Sequence, residues 1–180
     1  ELEQSPYPYV VKIQGKVKEL IAEHRSGVFD TWLEQDKISC LPNYALPAVI
    51  SPTAFTSMVP KSLYTAEEDM NEYEFKVVWA LSELGNVKWW HRHISRLGFQ
   101  INGPVHAYPD IIVMLHSGKV LMVETKGDHL DNDESKEKAK IGDQWAKLAG
   151  KQYKYYMVFE TKQPDYPATK VRSATVLDTA

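Results

Sequence analysis

The chain has 180 residues, 43% of them hydrophobic, and 21 Lys and Arg against 24 Asp and Glu for a formal charge of −3. That length supports one sizeable core with an appendage and argues against two full domains; the mild negative charge argues against a large non-specific nucleic-acid surface, which needs Lys and Arg to neutralise phosphates. The single cysteine, Cys40, excludes an intramolecular disulfide, and no run of about 18 apolar residues marks a membrane span. The amino terminus, Glu1-Leu2-Glu3-Gln4, lacks the basic and apolar pattern of a secretory signal and begins without methionine, as an excised fragment would. A soluble, cytoplasmic protein is the expectation.

In chain order, Gly15 to Gln35 carries apolar residues at Val17, Leu20, Ile21, Val28, Trp32 and Leu33, the spacing of one or two helices, with Gly27 as the expected interruption. Pro42, Pro47, Pro52 and Pro60 then forbid a long regular element and predict a connector, so residues 1–60 read as a helical and connecting segment and 61–180 as the main domain. Asn71 is placed to cap a helix running to about Leu84, with Tyr73, Val77, Val78, Leu81 and Leu84 as its apolar stripe and Gly85 as its stop. Three strands are expected next, at Val87 to Ile94, Ile111 to Leu115 and Val120 to Val123. The last two are apolar almost throughout, as strands covered on both faces are. A polar loop from Gly127 to Asn132 precedes a helix from about Glu134 to Ala149, then a strand at Tyr155 to Phe159 and a further edge at Val171 to Leu177. The order helix, three strands, helix, strand predicts an α/β sandwich with a mixed sheet, an αβββαβ core.

The chemistry concentrates at Pro109-Asp110 and, fourteen positions after the aspartate, Glu124-Thr125-Lys126. The tight turn at His116-Ser117-Gly118-Lys119 folds the two strands into a hairpin that sets Asp110 beside Glu124. Two carboxylates at strand ends are common and prove little alone. Lys126, two residues after Glu124, shares its face of the strand. A metal held by Asp110 and Glu124 would activate water and polarise a phosphoryl oxygen, and the Lys126 ammonium would orient that water or stabilise developing charge; a plain salt bridge to Glu124 is the competing reading. Magnesium suits such a site, because it takes one or two carboxylates and leaves other positions to water and phosphate. Glu74, on the helical face of Val77, Val78 and Leu81, is the candidate for a third acid, with Glu72 the more exposed alternative.

Other constellations weigh less. His91 and His93 share a strand face but have no third zinc ligand at suitable spacing. Trp89 and Trp90 could stack on bases, although alternation sends one ring into the core. Arg92 and Arg96, from the cluster Lys88, His91, Arg92, His93 and Arg96, are candidate phosphate contacts. Lys140 and Gln144, in the stretch that also holds Lys136 and Lys138, fit a solvated helix face at least as well, and His129 lies in the loop after the motif.

Taken with the element order, Pro109-Asp110 and Glu124-Thr125-Lys126 resemble the PD-(D/E)XK nuclease superfamily. Ser62-Leu63-Tyr64, Met70-Asn71-Glu72-Tyr73-Glu74, Val87-Lys88-Trp89-Trp90-His91-Arg92, Tyr108-Pro109-Asp110 and Val123-Glu124-Thr125-Lys126-Gly127 together resemble the carboxy-terminal endonuclease domain of type III restriction enzyme Res subunits and related helicase-nucleases. The resemblance covers about residues 60 to 160. It implies a restriction-endonuclease-like fold; Asp110, Glu124, the Thr125 carbonyl and Glu74 as Mg²⁺ ligands, with Mn²⁺ a possible substitute; and Lys126 as the catalytic lysine. The implied reaction is hydrolysis of DNA phosphodiesters to 5′-phosphate and 3′-hydroxyl ends. The implied partners, besides DNA, are a helicase/ATPase region of the same protein and a methyltransferase modification subunit. Gly15-Lys16, Gly118-Lys119 and Gly150-Lys151 all lack a P-loop context, so no ATP site is expected in these residues. The alternative function is a non-catalytic nucleic-acid-binding or docking domain of a larger helicase-type protein.

Overall fold

The computed structural model of the chain describes residues 7–40, 44–54, 58–94, 96 and 98–168, and the expected edge at Val171 to Leu177 lies outside them. The chain divides into two compact units, Glu1–Ser39 and Cys40–Ala180, a division that falls well before residue 61. Among its described residues the first unit holds one helix, α1 (Tyr7–Glu34), which buries none of its residues. Gly27 does not interrupt it. A helix-interior glycine costs only about 1 kcal/mol relative to alanine, and here the Thr31 hydroxyl adds a hydrogen bond to the Gly27 carbonyl at 2.8 Å.

The second unit contains α2 (Glu72–Glu83), β1 (Val87–Arg92), β2 (Ile111–Leu115), β3 (Val120–Lys126), α3 (Asp133–Ala149) and β4 (Tyr153–Phe159), with a short 3₁₀ turn at Asp128–Leu130. Its sheet has the order β1-β2-β3-β4. β1 and β3 are both antiparallel to β2, while β4 runs parallel to β3 after the α3 crossover, so the sheet is mixed as the element order predicts. Gly118, at φ 85°, supplies the left-handed turn residue that closes the β2–β3 hairpin. The first expected strand stops at Arg92, short of Ile94, and β3 continues past Val123 to Lys126 because β4 pairs with it along its whole length.

Capping starts both helices of this unit. The Asn71 side chain accepts from Glu74 N while Glu74 returns a bond to Asn71 N, a complete capping box at the head of α2. Asn132 accepts from Ser135 N at the head of α3. On one face of the sheet, Val78, Leu81 and Leu84 pack with Val87, Trp90, Ile111, Val113, Leu115, Leu121 and Val123 in one buried cluster. Alternation turns Met122, Glu124 and Lys126 to the opposite face, which α3 covers.

The proline-rich stretch forms no helix or strand among its described residues, as expected, but it is tied down. Tyr64 donates through its hydroxyl to the Pro47 carbonyl at 2.5 Å, Thr53 bonds to Glu68, and the Trp90 indole donates to the Pro60 carbonyl at 2.8 Å. Lys61 and Leu63 exchange backbone bonds with Trp90 on the free edge of β1, which gives that exposed edge a covering segment.

Candidate active site

Asp110 lies one residue before β2, yet the ladder runs through it: its N–H donates to the Val123 carbonyl at 2.9 Å, and its carbonyl accepts from His93 N at 2.8 Å. Ile111 pairs with Val123 across the hairpin and the Asp110 amide bonds to that same Val123, which sets Asp110 at the hairpin end beside the segment Glu124–Lys126. Asp110 Oδ2 accepts two bonds from Thr125, from the amide at 2.7 Å and the hydroxyl at 2.9 Å. These two bonds clamp the carboxylate against β3. Oδ1 lies 3.5 Å from Arg92 Nη1, too far for a short hydrogen bond, and keeps lone-pair capacity for a cation.

Glu124 is 3% exposed. Its Oε1 sits 2.5 Å from Lys126 Nζ, and its Oε2 accepts from the Tyr155 hydroxyl at 2.5 Å. The i, i+2 alignment expected for Glu124 and Lys126 is therefore met by direct contact. Burying a carboxylate is costly unless it is paired and hydrogen-bonded, and here both conditions hold.

Glu74 reaches this region through an intermediary. Its Oε1 pairs with Arg92 Nη2 at 2.9 Å, and its Oε2 closes the capping box with Asn71 N at 3.0 Å. Both oxygens are committed, so Arg92 stands between Glu74 and Asp110. Arg92 Nη1 also donates to the carbonyls of Asp110 and His93, each at 3.0 Å. Burial pushes the Glu74 carboxyl up from its ordinary value, against the pull of Arg92. Of the four expected site residues, Glu124 and Lys126 are in direct contact, Asp110 is bonded to Thr125 between them in the chain, and Glu74 reaches Asp110 only by way of Arg92.

The donor set fits Mg²⁺ in kind: two carboxylates with hard oxygens, beside the Thr125 carbonyl that the resemblance adds. The Lys126 ammonium already places a positive charge against Glu124 Oε1. Among the described residues no group of three or more His, Cys, Asp and Glu side chains is arranged to hold a metal, so a cation here would rest on two side-chain ligands.

The lesser candidates disperse. His91 Nδ1 is 2.9 Å from Glu67 Oε2, whereas His93 lies past the end of β1 with Nδ1 2.9 Å from the Pro109 carbonyl, so the two imidazoles serve different partners. Trp90 is fully buried with its indole on Pro60, while Trp89 lines a cavity with Phe99, Met114, Met122, Trp145 and Tyr153. Arg92 is engaged by protein groups, Arg96 is exposed, and Lys140 and Gln144 are half-buried on α3. The His129 ring is exposed and lies where a side chain on Gly127 would sit. Sequence reasoning missed the Thr125 clamp, the Arg92 bridge and Tyr155. The one available signal for Tyr155 was Gly142, a glycine inside a helix.

His93 is 2% exposed, and burial lowers its pKa from 6.5 to about 4. The imidazole is thus neutral, with Nδ1–H donating to Pro109. Between these two values the unfolded chain binds a proton that the folded chain refuses, so stability rises with pH across this window. His93 is expected to contribute about 3 kcal/mol that is present above pH ~6.5 and lost on acidification towards pH ~4. Urea denaturation in EDTA at pH 5 and pH 7 checks this, and His93→Gln, which keeps a donor but cannot charge, should flatten the difference.

No protein-family model, no curated protein and no solved structure matches this chain.

Proposed function

We propose that the second unit is a Mg²⁺-dependent endonuclease domain of restriction-endonuclease-like fold that hydrolyses DNA phosphodiester bonds. The observation that supports this reading is that Asp110, bonded to Thr125, and the contacting pair Glu124 and Lys126 lie at one end of the β2–β3 hairpin. Bound there, Mg²⁺ would supply a Lewis acid and a water of lowered pKa. Asp110 and Glu124 are its side-chain ligands, with the Thr125 carbonyl as a third. Thr125 holds Asp110 in place through the two bonds to Oδ2. Lys126, held against Glu124 Oε1, would supply the cationic donor that orients the attacking water or stabilises the charge that develops in the transition state. Arg92 fixes the Asp110 backbone and screens Glu74 from it. By the same resemblance, DNA is the substrate, and a helicase/ATPase region and a modification subunit are the partners of the complete enzyme.

The test is nicking of supercoiled plasmid by the 180-residue chain in Mg²⁺ or Mn²⁺. Wild type should cut, EDTA should stop it, and Asp110→Ala should lower the rate by at least about 10³-fold while retaining the wild-type circular dichroism spectrum. Equal cutting by wild type and Asp110→Ala would sink the proposal.

A further inference from the structure

We infer that Tyr155 is a positioning residue that commits one oxygen of Glu124, so that this carboxylate meets its cation through Oε1 alone, and that Gly142 is present in α3 to admit the Tyr155 ring. The inference rests on the nuclease reading and extends it to residues outside the Asp110, Glu124 and Lys126 set. Glu124 has three rotatable side-chain bonds and would not by itself hold one orientation. Two groups fix it from opposite oxygens, Lys126 on Oε1 and Tyr155 on Oε2, each at 2.5 Å. Lys126 is the mobile partner, since its ammonium must yield to a cation or turn to substrate. Tyr155 is the static one.

The phenol is built in as a support is. Tyr155 lies opposite Met122 in the parallel β3–β4 ladder and is 3% exposed. Its ring fills the space over Gly142, where an added Cβ would overlap Cδ1, Cε1 and Cγ. Glycine is unfavourable in a helix interior, and Gly142 is buried in the middle of α3. Any larger residue would push the ring off Glu124. A helix, a strand and the motif carboxylate are thereby linked in one line, from Gly142 through Tyr155 to Glu124.

Outer partners of metal ligands typically change affinity by 10- to 100-fold when removed. Tyr155→Phe in the whole chain should therefore weaken Mn²⁺ binding, measured by calorimetry, by about 10-fold or more, and should raise the Mg²⁺ concentration for half-maximal nicking by a similar factor. The rate at saturating Mg²⁺ should fall less, a split that general loss of structure would not produce. Gly142→Ala keeps the phenol but displaces it, and should reproduce the same shift in metal dependence; it also serves if Tyr155→Phe folds poorly. Wild-type Mn²⁺ affinity and Mg²⁺ midpoint in both variants would overturn the role of Tyr155 and leave the nuclease reading standing. Absence of both Mn²⁺ binding and cutting in wild type would overturn the nuclease reading itself, and this inference with it.

Discussion

Lys126→Ala is expected to slow plasmid nicking by about 10²- to 10³-fold at saturating Mg²⁺, the usual cost of deleting one donor aimed at developing charge. Solvent is a poor substitute for this side chain, because Lys126 is largely buried beside the buried Glu124. The same substitution has a second effect, on stability. Without the ammonium, Glu124 keeps only the Tyr155 bond, and breaking a buried ion pair from one side typically costs about 3–5 kcal/mol against a total stability of about 5–15 kcal/mol. In EDTA the Tm of Lys126→Ala should fall sharply, and added Mg²⁺ should recover more Tm in the variant than in wild type, since the cation then takes the ammonium's place at Oε1. Lys126→Arg separates the two roles. It restores charge and hence Tm, but its planar fork does not reproduce a single ammonium donor, so the rate should stay low. Thermal unfolding with and without Mg²⁺, beside the nicking assay, reads all of this; a Lys126→Ala variant that cuts at the wild-type rate would remove the lysine from the chemistry.

Glu67→Ala is expected to cost about 3–5 kcal/mol of stability, the other large effect. Glu67 is 2% exposed and sits among donors: His91 Nδ1 at 2.9 Å and Arg92 N at 3.1 Å on Oε2, and the Ser62 hydroxyl at 2.9 Å on Oε1. The single Ser62 proton also has the Tyr64 carbonyl within 2.7 Å and serves one acceptor at a time. Truncation leaves the His91 and Arg92 groups unpaired in the interior, the most expensive outcome for buried polar atoms. Glu67→Gln retains an acceptor and should cost clearly less. The midpoint of urea unfolding, at unchanged m-value, measures both. The loss should also reach the site, because the Arg92 amide held by Glu67 belongs to the residue whose guanidinium bridges Glu74 and Asp110. A Glu67→Ala domain as stable as wild type would show that the His91–Glu67 pair contributes nothing net.

Most of the regular structure was legible because its causes are local. The Asn71 cap, the apolar runs of β2 and β3 and the Gly118 turn each act within a few residues of the feature they produce. Gly27 was misread for the same reason: a local breaker signal was weighed without the ladder that carries α1 across it. The β2–β3 hairpin joins neighbouring strands through a short turn, so the placing of Asp110 and Glu124 at one hairpin end, and the contact of Glu124 with Lys126, could be read from spacing and alternation alone. Glu74 was only half legible. Its helical face was right, but the Asn71 capping box and Arg92 claim its oxygens, and the second of these comes from a strand eighteen residues away.

Local patterns along the chain are thus enough for a mixed α/β unit with two carboxylates and a lysine at one hairpin end. Tertiary structure alone decided which groups hold those three in place: Thr125 on Asp110, Arg92 between Asp110 and Glu74, Glu67 beneath His91 and Arg92, and Tyr155 on Glu124 over the gap left by Gly142. The physical reason is that most of these contacts join segments far apart in the chain. Their partners are selected by strand order, register and the space between α3 and the sheet, none of which is encoded in the spacing of neighbouring residues.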